Sequence, residues 1–269
     1  MSVDGESFSV LRWDSGQLRR EPDNLAVEEP LEIRVRGRAI SVTMRTPGHD
    51  PELAAGFLLS EGVIRQRADI LKIEPCPRSE EGNRVDVLLA PRVAVDFDRL
   101  TRHVFASSSC GLCGKATIEA VRTAFAPVTS NVTVDAAIFA GLGEVMRAAQ
   151  TEFARTGGLH AAALFDAEGC LLTLREDVGR HNAVDKVLGF ALMNDLLPLG
   201  RHILLVSGRS SFEIMQKAAS GGVPIVAAVS APSNLAVQFA VESGQTLIGF
   251  LRGQRMNVYS NPQRVRFPK

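Results

Sequence analysis

The sequence lacks an excess of either charge: 30 Lys and Arg residues balance 30 Asp and Glu residues across 269 positions. Without a basic field, neither nucleic acid nor an anionic membrane surface has its usual electrostatic support as a partner. No apolar run approaches the ~20 residues that cross a bilayer. The stretch Met1 to Asp14 is polar and partly acidic, without the apolar centre of a secretory signal. A cytoplasmic protein is expected. Cysteine is scarce, with only Cys76, Cys110, Cys113 and Cys170. That is too few to staple a chain of this length as a disulfide framework. Cys76 lies between Pro75 and Pro77, and Cys170 opens an apolar stretch. Both are expected to be small buried hydrophobes. No phosphate-loop sequence and no G-x-G-x-x-G fingerprint is present, which removes support for ordinary nucleotide hydrolysis and for dinucleotide redox.

Apolar residues make up 45% of the chain, enough for one large domain or two modest ones. Residues 1–30 are polar and are expected to be irregular. Residues 31–44 alternate apolar and polar on both sides of Gly37, a hairpin pattern. Asp50–Ile64 is expected to be a helix with Pro51 in its first turn, followed by strands over Asp69–Pro75 and Arg84–Ala90. Helices are expected over Ala116–Phe125, Asp135–Thr156, Asn182–Leu197, Phe212–Ala219 and Asn234–Ser243. Strands are expected over His160–Asp166, Cys170–Glu176, His202–Ser207, Pro224–Ser230 and Thr246–Leu251. This alternation with short loops predicts an α/β domain with a mixed, largely parallel sheet covered on both faces. A smaller α+β module over 31–105 precedes it.

Between the two lies Ser107-Ser108-Ser109-Cys110-Gly111-Leu112-Cys113-Gly114. Serines compete for backbone hydrogen bonds and glycines leave the backbone free, so 106–116 is expected to be a mobile, accessible thiol loop. Three chemistries are open to it. A structural zinc site needs four ligands, yet there is no second C-x-x-C. A deaminase-type zinc site needs His-x-Glu, and His160 is followed by two alanines. Disulfide cycling of the thioredoxin kind needs a strand leading directly into the pair, whereas a serine-rich loop leads in here. Sulfur carriage needs an exposed thiolate that reaches a donor and then an acceptor. The loop supplies reach, and a helix starting near Lys115 would add positive charge. Cys110 is the candidate carrier and Cys113 the assisting thiol.

Other stretches carry charge or phosphate-friendly geometry. Arg175–Lys186 is dense in charge, and His181, Asp185 and Lys186 are placed for either a ligand-binding wall or a solvated first helical turn. Ser207-Gly208-Arg209-Ser210-Ser211 and Ser230-Ala231-Pro232-Ser233-Asn234 each follow a strand and precede a helix, where an α/β sheet presents free amides. Phe250-Leu251-Arg252-Gly253-Gln254-Arg255 combines an aromatic with two arginines, suited either to a base and phosphates or to a surface hairpin. His160 is read as a satisfied core histidine in preference to the alternative, a residue lining the cleft.

Taken in order, several of these motifs resemble the FdhD family of formate dehydrogenase accessory sulfurtransferases. They are Ser108–Gly114, Thr156-Gly157-Gly158-Leu159-His160, Glu176–Lys186 and Ser207-Gly208-Arg209. Upstream, Pro47-Gly48-His49-Asp50, Glu52-Leu53-Ala54 and Gly56-Phe57-Leu58 match as well. The resemblance runs from about residue 30 to the end. It implies a persulfide on Cys110, received from a cysteine desulfurase, with Cys113 as its partner thiol. It implies delivery of that sulfur to the molybdenum or tungsten bis-guanine-dinucleotide cofactor of formate dehydrogenase. Phe250, Leu251, Arg252, Gly253, Gln254 and Arg255 fall where the family holds the guanine-nucleotide end. Ser207, Gly208, Arg209 and His181 are the further candidates for that ligand. It also implies a homodimer, no structural metal, and a three-layer cytidine-deaminase-like fold over 117–269. Two rivals remain at this point: a non-catalytic chaperone that only shields and delivers the cofactor, and a zinc hydrolase.

Overall fold

The computed structural model describes residues 7–76, 82–97, 100 and 126–268. The thiol loop, with Cys110 and Cys113, and the expected helix Ala116–Phe125 lie outside the described residues.

After the two-residue strand β7 (Val134–Asp135), the central sheet forms because β8 (His160–Phe165), β10 (Ile203–Val206) and β11 (Ile225–Ala228) are apolar at nearly every position. Alternate side chains then serve opposite faces. Ala162, Leu164, Leu204, Val206, Val226 and Ala228 enter one core. Ala161, Ala163, Phe165, Ile203, Leu205, Ile225 and Ala227 enter the other. The six-stranded order is β13-β12-β11-β10-β8-β9, with β9 over Leu171–Asp177, β12 over Thr246–Arg252 and β13 over Arg255–Ser260. Helix α2 (Ala136–Ala149) covers the second core with Phe139, Leu142 and Met146. The first core is covered by α4 (Arg180–Met193), α5 (Phe212–Ser220) and α6 (Asn234–Glu242). The three layers and the mixed sheet follow the expectation. The parallel share is smaller than expected, because only β10–β11 and β11–β12 run parallel. The pairs β8–β9, β8–β10 and β12–β13 are antiparallel, since short turns rather than helical crossovers join two of them.

A four-stranded sheet, β4-β3-β6-β5, precedes this domain. It contains β3 (Glu29–Val35), β4 (Arg38–Arg45), β5 (Ile70–Pro75) and β6 (Arg84–Leu89). Arg36 and Gly37, both at positive φ, make the expected tight turn. Helix α1 (Asp50–Ser60) stops earlier than expected, where Gly62 takes a left-handed conformation and the Val63 amide donates back to the Leu58 carbonyl at 2.9 Å. Leu31, Ile33, Val85 and Val87 share one apolar core with Ala183, Val187, Leu204 and Val226. At the centre of that core α1 crosses α4 backbone to backbone. A methyl group built on Gly56 would stand 1.8 Å from the Asp185 carbonyl oxygen, and one on Gly189 would stand 1.8 Å from that of Glu52.

Four expectations need correction. Residues 7–24, expected to be irregular, form a hairpin of β1 (Ser7–Asp14) and β2 (Gln17–Asn24). Its turn, Ser15-Gly16, has positive φ at both positions. Leu11, Trp13 and Leu18 stay exposed on it, so no single buried face marked the strands in the sequence. The expected helix Asp135–Thr156 breaks at Gln150, because the Glu176 carboxylate accepts the amides of Glu152 and Phe153 at 3.0 and 2.7 Å and starts a new helix, α3 (Thr151–Thr156). Helix α4 begins at Arg180 and ends at Met193, cut short by a left-handed Asp195 whose neighbour Leu196 donates to the Ala191 carbonyl at 2.9 Å. Neither Cys76 nor Cys170 is buried. Cys170 sits in a turn closed by Asp166, which accepts the Cys170 amide at 2.8 Å, and burial begins only beyond it.

Candidate functional site

Parallel strands β10 and β11 end side by side, so the loops that follow them meet. The Ser233 amide donates to the Ser210 carbonyl at 3.0 Å. Ser211 and Ser233 cap α5 and α6 by accepting the amides of Ile214 and Ala236 at 3.4 and 3.2 Å. Ser207 is laced to β8: its amide donates to the Ala161 carbonyl, and its hydroxyl accepts the Ala161 amide, both at 2.9 Å. Gly208 lies against His160, since a methyl group there would meet His160 Nδ1 at 3.4 Å and Arg180 Cδ at 3.7 Å. These contacts gather the 207–211 loop, the start of β8 and the start of α4 in one place.

The end of β12 turns sharply. Gly249 is pressed between Pro232 and Tyr259, and the strand register breaks between Gly249 and Arg252. Phe250 takes a left-handed φ of 54° and donates its amide to the Ser230 carbonyl at 3.1 Å. Such a conformation is costly for an aromatic residue and is held only by strong surrounding constraints. It leaves Phe250 40% exposed while Leu251 is buried. Gly253, also at positive φ, then closes a two-residue turn that pairs Arg252 with Arg255.

Two cavities flank this turn. The larger, about 1130 Å³, is lined by Phe250, Leu251, Arg252, Gly253, Gln254 and Arg255, facing Asp135, Phe139, Arg266 and Phe267. The other, about 930 Å³, is lined by His160, Ser207, Arg147, Phe153, Gly157, Gly158 and Val229. Leu251, Arg252 and Gly253 border both. The structure thus brings together Phe250–Arg255 and Ser207, with Gly208 touching the His160 wall. The other two candidates, Arg209 and His181, line neither cavity, although His181 Nε2 lies 3.4 Å from the Ser211 hydroxyl of the same loop. The Arg209 side is exposed on its loop. His181 is engaged by Glu213, with Nε2 to Oε2 at 2.8 Å, and this hydrogen bond chiefly holds the Glu213 carboxyl below its ordinary range.

His160, expected in the core, is a correction. It is half-buried and lines the smaller cavity. Burial first, then the charge of Arg180 and His181, hold its pKa below the ordinary 6.5, against the pull of Asp177. The sequence signal for this placement was the pair of glycines before it, both of which line the same cavity.

The Arg175–Lys186 run is neither a solvated turn nor mainly a ligand wall. The Lys186 ammonium and Asp177 carboxylate pair at 2.7 Å with both side chains fully buried. Lys186 also donates to the Thr46 carbonyl at 2.8 Å, and Asp177 accepts the Thr46 amide at 3.2 Å. Asp185 pairs with Lys217 at 2.7 Å and accepts from Ser60 at 2.9 Å. Arg175 grips Glu52 in a bidentate pair, with Nη2 to Oε1 at 2.8 Å. These charges bolt the segment around α1 to α4 and β9. Burial alone would push the Glu52 carboxyl up, but Arg175 and His49 outweigh it and hold the pKa below 4.5. A depressed carboxylate pKa stabilises the fold above the unfolded value and loses that contribution as pH falls through the folded one. Urea unfolding should therefore show stability declining below about pH 4.5, with a shallower decline in Arg175→Ala. An unchanged acid slope in that variant would show that Arg175 does not hold Glu52.

Among the described residues, no three His, Cys, Asp or Glu side chains gather to hold a metal, and no helix is long and apolar enough to cross a membrane. The family model described as FdhD/NarQ matches residues 26–266. The chain belongs to the FdhD/NarQ family. It is 53% identical over 266 residues to the sulfur carrier protein FdhD of Mycobacterium tuberculosis, covering 95% of this chain and 96% of that one. It is 53% identical over 268 residues to the protein of the same name from Streptomyces coelicolor, covering 97% and 95%. Its fold matches a crystal structure from Desulfotalea psychrophila, described as a formate dehydrogenase accessory protein. That match has a TM-score of 0.79 and 26% identity, over 97% of this chain and 99% of that one. The family match over residues 26–266 includes the Phe250–Arg255 turn and most of the residues that line the two cavities around it.

Proposed function

We propose that this FdhD/NarQ chain is a sulfurtransferase that carries sulfur on Cys110 to the molybdenum or tungsten bis-guanine-dinucleotide cofactor needed by formate dehydrogenase. The observation that carries the reading is the Cys110-Gly111-Leu112-Cys113 pair in a chain whose Phe250–Arg255 turn separates two ligand-sized cavities. The names of the relatives, sulfur carrier and formate dehydrogenase accessory protein, support it.

In the loading step the Cys110 thiolate attacks the outer sulfur of a cysteine desulfurase persulfide. The donor's sulfur–sulfur bond breaks, the donor leaves as a thiolate, and Cys110 holds the outer sulfur as its own persulfide. In the unloading step the Cys113 thiolate attacks the inner sulfur. The outer sulfur leaves at the sulfide level towards the metal, and a Cys110–Cys113 disulfide remains for a cellular thiol to reduce. The cofactor is the substrate of this exchange. The residues lining the larger cavity fit its nucleotide end: Phe250 and Phe267 offer faces for a purine, and Arg252, Arg255 and Arg266 offer charge for a diphosphate. The protein acts in the cytoplasm as a homodimer in this reading.

The test is mass spectrometry of the chain after incubation with a cysteine desulfurase and cysteine. One added sulfur on the peptide containing Cys110 is expected, absent in Cys110→Ala. An unmodified Cys110 peptide under conditions that load another acceptor would leave the non-catalytic cofactor chaperone as the better reading.

A further inference from the structure

The larger cavity accounts for a base and phosphates but not for the rest of a pterin dinucleotide. The smaller cavity shares Leu251, Arg252 and Gly253 with the larger one, so a ligand whose diphosphate lay along Arg252 and Gly253 would reach both. The walls differ in kind. The smaller cavity exposes mainly apolar surface from Met146, Phe153, Val229 and Leu251, edged by Glu144, Arg147, Gln150, His160 and Ser207. At its mouth Gly157 is bare, with open space where a side chain would stand. A mostly apolar slot with a few placed polar groups suits a flat, fused heterocycle that carries amide-like edges. No described carboxylate contacts His160. The charged groups around it are Arg180 and His181 from α4 and Asp177 from β9; burial and the two cationic neighbours lower its pKa below the ordinary 6.5 and favour the neutral ring, against the opposing pull of Asp177. A neutral imidazole can donate at one nitrogen and accept at the other, as an amide-like edge requires.

We propose that the cavity beside His160 is a second subsite, which takes the pterin end of the dinucleotide, with His160 as its polar contact. This rests on the guanine-nucleotide reading of the larger cavity. His160 and Ser207 are then binding residues for the part of the ligand that lies beyond its diphosphate.

The experiment compares two probes on the purified full chain. One is GDP, followed by calorimetry. The other is the air-oxidised pterin guanine dinucleotide released by heating a bis-guanine-dinucleotide enzyme, followed by its pterin fluorescence. Wild type is expected to bind the dinucleotide about tenfold more tightly than GDP, and His160→Ala to lose that surplus with GDP affinity unchanged, as one buried hydrogen bond would predict. His160→Gln, which keeps a donor and an acceptor, is expected to regain part of it and guards against a folding defect in the alanine variant. Equal affinity of wild type for the two probes overturns the second subsite while leaving the nucleotide site standing. So does a His160→Ala variant that keeps the surplus, or one that loses GDP affinity in parallel. A wild-type chain that binds neither probe removes the nucleotide site and the subsite together.

Discussion

Cys110→Ala is expected to bind GDP as wild type does and to leave co-expressed formate dehydrogenase inactive, by about 10³-fold or more, because removing a nucleophile leaves only the contributions of binding. Cys110→Ser should fare no better. A hydroxyl is not ionised at pH 7 and cannot hold sulfur in a bond that a thiol then cleaves. Cys113→Ala separates the two half-reactions. It should load sulfur normally and release it slowly, so that persulfide accumulates on Cys110. The measurements are dehydrogenase activity in cells lacking the native accessory protein, GDP calorimetry and persulfide mass spectrometry. Full activity in Cys110→Ala would end the carrier mechanism.

Gly56→Ala should be among the most destabilising single-methyl changes available to this fold. The new carbon would stand 1.8 Å from the Asp185 carbonyl oxygen, and that oxygen belongs to helix backbone rather than to a side chain that can swing away. Relief requires α1 and α4 to part along their whole crossing, and the reciprocal contact of Gly189 with the Glu52 carbonyl is lost in the same movement. Parting also pulls on Ser60–Asp185 and Arg175–Glu52, which are short and geometry-dependent. The cost is expected at or beyond the upper end of the roughly 1–3 kcal/mol usual for overpacking. Gly141→Ala is the control, because a methyl there meets nothing within 4 Å. It should be neutral or slightly stabilising, as alanine for glycine in a helix usually is. Urea midpoints of the two variants check both statements. Equal midpoints would mean that the helix crossing tolerates the methyl by local adjustment.

Much of the fold was legible in the chain. Hairpin β3–β4 declared itself through period-two alternation around Gly37 and was found there. The buried strands β8, β10 and β11 were visible as short apolar runs between helical patterns. The hairpin β1–β2 was not legible, because its apolar residues fall on both faces and none is buried deeply enough to impose a pattern. The break at Gln150 was hidden for a different reason: the Glu176 carboxylate that starts the next helix lies more than twenty residues away in sequence.

At the site, the amino-acid sequence by itself determined the thiol pair and the family resemblance, and through that resemblance singled out Phe250–Arg255, which the structure places on the rim of two cavities. Those depend on residue identity and local order, which a chain carries without being folded. Only the tertiary structure decided how the charges are used. Asp177 and the Thr46 amide it accepts are 131 residues apart, and Arg175 and Glu52 are 123 apart. No local pattern distinguishes a carboxylate that meets a distant backbone from one that meets a ligand. The same holds for His160, which packs against Gly208, 48 residues further along the chain, and so comes to line a cavity. Which groups are spent on holding the molecule together, and which are left to face a substrate, is settled by packing between segments far apart along the chain.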